Sequence, residues 1–96
     1  MTPSIAAITR AQALGRVGHS LALLGRRAEA ITTLTEAVSL MDQLQWSNNT
    51  QARSLEILAA ALADEGRPDE SRRAYARAAE VFAARKLRSG GAALVP

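Results

Sequence analysis

The side chain best suited to chemistry in this 96-residue sequence is a lone histidine, His19. A metal site would need a second ligand one helical turn away, but Gly15, Arg16, Ala22 and Leu23 stand there. A nucleophile reading would couple His19 to Ser20, yet adjacent residues point to different helix faces and no orienting acid is near in sequence. The absence of cysteine removes thiolate chemistry and any disulfide framework. Gly15, Gly18 and Gly25 do not make a phosphate loop, because no strand precedes them and no Lys-Ser/Thr pair follows. The sequence therefore presents no catalytic constellation, no metal site and no cofactor site. His19 reads instead as a half-buried or groove-lining residue.

The second chemical resource is arginine. The net charge is +3 and the isoelectric point about 10.6, with a single lysine among twelve basic residues. So basic a chain raises nucleic acid as a partner. Arg72, Arg73 and Arg77, with Arg26, Arg27 and Arg67 at the turns, are the residues that would meet phosphates. Apart from Tyr75, no aromatic that could stack a base lies beside them, and Glu36, Asp69, Glu70 and Glu80 interleave. A solvated outer helix face is the better reading, with a small basic nucleic-acid-binding helical protein as the alternative. Arginine and alanine in place of lysine also fit codon pressure in a GC-rich bacterial genome.

Helices must position these residues. Ala and Leu dominate, β-branched residues are few, and no stretch alternates with a period of two. The first helix is expected from about Ser4 to Leu24, ended by Gly25. The second runs from near Arg27 to about Leu44. A polar turn through Trp46 follows, with Ser47 or Asn48 as N-cap of a third helix that stops at Gly66. Pro68 opens the fourth, Asp69 and Glu70 sit at the positive end of its dipole, and Asp69 can reach Arg73. This helix is expected to fade near Leu87, before Ser89-Gly90-Gly91. The apolar stripes would be Leu14, Val17, Leu21 and Leu24 on the first helix and Leu55, Leu58 and Leu62 on the third. Ile31, Leu34, Val38 and Leu40 would pack from the second, and Tyr75, Val81 and Phe82 from the fourth. No stretch is apolar enough to span a membrane, and Met1-Thr2-Pro3-Ser4 has no basic, secretory-type start, so a cytoplasmic location is expected.

The helices repeat. Laying 11–44 over 52–85 matches Ala11/Ala52, Leu14/Leu55, Leu21/Leu62, Ala22/Ala63, Gly25/Gly66, Arg26/Arg67, Glu29/Glu70 and Ala37/Ala78. Gly18/Ala59 and Ala30/Ser71 add small residues where helix backbones approach closely. Self-similarity at such a period marks stacked helical repeats, which bind far more often than they catalyse. The expected architecture is all-α: two antiparallel hairpins, repeat 1 at about 4–44 and repeat 2 at about 47–87, forming one domain over 1–88. Residues 89–96 read as a flexible tail, either the remnant of a thrombin-site tag, which Leu94-Val95-Pro96 resembles, or the start of a further repeat.

The pattern resembles the tetratricopeptide (TPR) family. Repeat 1 supplies Leu14, Val17-Gly18, Leu21, Gly25, Glu29-Ala30, Leu34 and Ala37, and repeat 2 Leu55, Leu58-Ala59, Leu62, Gly66, Glu70-Ser71, Tyr75 and Ala78. The resemblance covers about 11–85. It departs from the family in lacking the Pro that ends a repeat, where Asp42 and Ala83 stand, and in its longer period. Such long repeats resemble those of bacterial regulators and kinesin light chains. The resemblance implies a right-handed superhelix fragment whose concave groove holds a protein segment or peptide. On the helix faces that would line the groove stand Gln12, His19 and Leu23 in repeat 1 and Arg53, Glu56 and Asp64 in repeat 2. The carboxylate clamp of some members does not carry over, since Lys is absent and Glu56 and Asp64 would repel an acidic tail. Ile5 and Ile8 at one end, and Tyr75, Val81 and Phe82 at the other, are left without a further helix to cover them. They predict self-association, as a two-fold homodimer stacking one such end on its own copy.

Overall fold

The computed structural model describes residues 4–45 and 49–94, with side chains described as far as residue 84. Among the described residues there are four helices and no strand: α1 (Ile5–Leu23), α2 (Arg27–Gln43), α3 (Asn49–Asp64) and α4 (Pro68–Leu94). α1 pairs with α2 and α3 with α4, and α3 also lies along α2 and touches α1. The fold is therefore two helical hairpins packed side by side. No described helix is long and apolar enough to cross a membrane. The expected turn through Trp46, with its cap at Ser47 or Asn48, lies outside the described residues.

Local chemistry sets the helix ends. The Ser4 side chain caps α1 by accepting from the Ala7 backbone N–H at 3.1 Å. Gly25 and Gly66 take φ of +78° and +75°. Around Gly25 the Arg26 N–H reaches the Leu21 carbonyl at 2.9 Å and the Gly25 N–H reaches Ala22 at 3.1 Å. The same pair recurs as Arg67 to Leu62 and Gly66 to Ala63. This is the Schellman arrangement, which occupies two carbonyls that the helix leaves free.

The repeated Arg and Glu then acquire a reason. Arg26 forks onto Glu29 with contacts of 2.8 and 2.7 Å, and Arg67 onto Glu70 with 2.9 and 2.6 Å. Each fork closes the first turn of the hairpin's second helix. The hydrogen bond from Arg67 holds the Glu70 carboxyl below its ordinary range, and in turn raises the Arg67 guanidinium. Asp69 pairs with Arg72 instead of the expected Arg73.

The core divides into three clusters. Ala30, Ile31 and Leu34 of α2 meet Leu58, Ala59, Ala61 and Leu62 of α3 and Ala74 of α4. Val38 packs with Ala52, Leu55, Ala78 and Val81. Ala11, Ala37 and Met41 close the α1–α2 end. Between the hairpins, Asp42 accepts from Gln51 at 2.7 Å and from Arg77 at 2.6 Å, joining α2, α3 and α4.

Three expectations are corrected. α1 does not bury Leu14, Val17, Leu21 and Leu24; its buried residues are Ala11, Gly15 and Gly18. Leu14 and Leu21 are half-buried, while Val17 and Leu24 are exposed. The buried face thus lies about 100° round the helix from the Leu stripe, at 100° per residue. The reason is that the closest neighbours of α1 meet it on its smallest residues. A Cβ on Gly18 would stand 2.5 Å from Leu34 Cγ, so only glycine allows this approach. Val81 is buried between the hairpins at 4% exposure, so it has no surface to offer a partner. Finally, α4 does not fade near Leu87, and its backbone stays helical through Gly90-Gly91 to Leu94. Good helix formers on either side offset the roughly 1 kcal/mol that each glycine costs. The backbone of residues 89–94 is thus helical, and Val95 and Pro96 lie outside the described residues.

Candidate protein-binding groove

A concavity of about 650 Å³ opens between α1 and α3 beside Phe82 of α4. Its walls follow from helical spacing. Gln12, Gly15, Arg16 and His19 recur at three or four residues along α1, and Asn49, Thr50, Arg53, Glu56 and Ile57 along α3. Its floor is the close contact of the two helices. A Cβ on Gly15 would lie 3.1 Å from Ser54 Oγ, and Ser54 is almost fully buried. Two small residues therefore bring two polar helix faces together without filling the space above them.

Four of the six predicted groove residues are brought together here: Gln12, His19, Arg53 and Glu56. Gln12, His19 and Glu56 are half-buried and Arg53 is exposed. Leu23 and Asp64 are not part of the lining. They occupy the last residues of α1 and α3, whereas the groove lies over the middle of α1 and the first half of α3. Both are exposed, Leu23 at 77%.

Arg16, Asn49, Thr50, Ile57 and Phe82 were missed. Arg16 was within reach of the sequence, since it falls about 60° beyond His19 on the helix wheel at 100° per residue. Phe82 was assigned to self-association, and only the packing of α4 across α3 turns its ring toward the groove. Ile5 and Ile8 lie outside the groove, Ile5 being 83% exposed and Ile8 half-buried.

The electrostatics of the groove differ from the expectation. With Asp64 out and Arg16 in, its formal charges are Arg16 and Arg53 against Glu56. Arg10, Arg26, Arg27, Arg67, Arg72 and Arg77 each hold a carboxylate. Among the described residues Arg16 and Arg53 form no such salt bridge. The two arginines in the concavity are thus free to meet an outside acceptor, and Ile57 and Phe82 give it an apolar edge. No cluster of three or more His, Cys, Asp or Glu placed to hold a metal occurs among the described residues. No protein-family model, curated protein or solved structure matches the chain.

Proposed function

We propose that this chain is a TPR-like protein-interaction module that binds a segment of another protein in the α1–α3 groove, as part of a cytoplasmic bacterial regulatory protein. The observation that carries the reading is the pair Arg16 and Arg53, held without salt bridges in a concavity whose floor is kept open by Gly15 and Ser54. A fitting segment, extended or helical, carries an acidic side chain or terminus toward the arginines and an apolar one toward Ile57 and Phe82. Binding sites of this kind combine a largely preformed concavity with a few placed polar groups. The nucleic-acid alternative draws less support, because five of its six arginines, Arg26, Arg27, Arg67, Arg72 and Arg77, are already engaged with carboxylates, and only Arg73 of that set forms no salt bridge among the described residues.

Panning a library of random twelve-residue peptides against the full chain tests the reading. Enriched peptides are expected to be acidic with an apolar residue, and to shift the NMR resonances of Gln12, Gly15, His19 and Arg53. The double variant His19→Ala, Arg53→Glu should weaken them at least tenfold with its helicity unchanged. Peptides that bind this variant as well as the parent chain exclude the groove. Tight binding of a duplex or single-stranded oligonucleotide that falls steeply with salt would instead favour the nucleic-acid reading.

A further inference from the structure

We propose that a second copy of this chain docks head-to-tail, the outer face of its α1 stacking on the outer face of α4 in the first copy. The inference stands apart from the groove and rests on how burial differs between equivalent positions of the two repeats. On α3, Leu55, Leu58, Ala61 and Leu62 are buried, packed with α2 residues. The same places on α1 hold Leu14, Val17, Ser20 and Leu21, where Val17 is 51% exposed, Ser20 is exposed and the two leucines are half-buried. The surface that α2 offers α3 is Ile31, Leu34 and Val38, all buried. Its counterpart on α4 is Arg72, Tyr75 and Ala79, all exposed, Tyr75 at 47%. The two open faces are therefore the two halves of the interface that already joins the hairpins inside the chain.

Chemistry agrees with this match. At the edge of the internal interface Arg27 bonds Glu65 at 3.0 Å. The corresponding positions across a head-to-tail junction are Pro68 and Leu24, and Leu24 is 70% exposed. Two cations at these faces among the described residues, Arg10 and Arg72, are each held by a carboxylate of their own chain, Glu36 and Asp69. They map to opposite ends of the junction, so these two like charges do not meet. Because different faces meet, the contact is heterologous and leaves a free face at each end. This replaces the two-fold pairing of like ends: the internal interface sets an α1-type face against an α2-type face, never against its own kind.

Two charge variants on the full chain test it by analytical ultracentrifugation. Val17→Glu spoils the α1 face and Tyr75→Glu the α4 face, both at exposed positions outside the groove lining. The parent chain should show an average mass that rises with concentration beyond two chains of 10.2 kDa. Each variant alone should be monomeric. Their equimolar mixture should double in mass and stop there, because one intact face of each kind remains. A parent chain of monomer mass at all concentrations overturns the proposal. So does either variant dimerising by itself, which is the mark of a two-fold contact between like faces, or a mixture that stays monomeric. Leu24→Glu and Ala79→Glu provide a second pair with the same expectations, used if circular dichroism shows that a member of the first has lost helicity.

Discussion

Replacing Gly18 by alanine sets helix propensity directly against packing. In an exposed helix interior the change would stabilise by about 0.8–1 kcal/mol. Here the new Cβ would lie 2.5 Å from Leu34 Cγ and 2.6 Å from Cδ2. Carbon atoms rest at about 3.5–4.0 Å, so Leu34 must withdraw by roughly 1 Å. Leu34 is fully buried, and the atom in the way is its branch carbon, which a rotation of the side-chain end does not clear. Overpacking of this kind costs about 1–3 kcal/mol, and the rigid surroundings place it near the upper end. The expected net effect is a loss of about 1–2 kcal/mol, a fall in melting temperature of roughly 4–15 °C for a domain this size. Urea denaturation followed by circular dichroism measures it. Gly15→Ala is the control, because the one tight neighbour of its Cβ is the Ser54 hydroxyl at 3.1 Å, which can turn aside, with Thr50 and Met41 at ordinary contact distance; it should be neutral or mildly stabilising. Combined with Leu34→Ala, the Gly18→Ala loss should disappear, giving a coupling of more than about 1 kcal/mol in the double-mutant cycle. A Gly18→Ala chain more stable than the parent, or additive behaviour in the cycle, would refute the packing argument.

Two further outcomes are expected. Gln45 ends α2 with φ of +52°, a conformation that a side chain disfavours, so Gln45→Gly should stabilise by about 0.5–1 kcal/mol in the same urea titration; no gain, or a loss, would mean that the side chain earns its place by other contacts. The Glu70 carboxyl titrates below its ordinary range because Arg67 donates to it. A lowered folded-state value means stability that is present above the ordinary glutamate range and fades as pH falls through the lowered one. Glu70→Gln should therefore melt lower than the parent at neutral pH and match it in acid. A constant gap across that range would separate Glu70 from the acid response.

How much of this was legible in the residues divides along local and non-local lines. Gly25 and Gly66, Pro68, Ser4 and the forks of Arg26 on Glu29 and Arg67 on Glu70 act within one or two turns. The turns at Gly25 and Gly66, the starts of α1 and α4 and the hairpin architecture were therefore readable from spacing, whereas the C-terminal end of α4 was not. The repeat was readable for a related reason: positions that must be small, such as Ala30, Ala37, Ala59 and Ala78, tolerate little else between packed backbones. Periodicity marked Leu14, Val17, Leu21 and Leu24 as an apolar stripe, but not what would cover it. On α3 the corresponding stripe is covered by α2, whereas on α1 no described helix lies in front of it. Likewise Arg16 and Phe82 reach the groove only because Gly15 lets α1 settle against Ser54 while α4 crosses α3. The existence of the four helices, the glycine turns and the pairing within each hairpin follow from neighbours along the chain. Tertiary packing alone decided which face of α1 is buried, which arginines stay free of carboxylates and which apolar residues remain open, since each depends on the helix that arrives alongside.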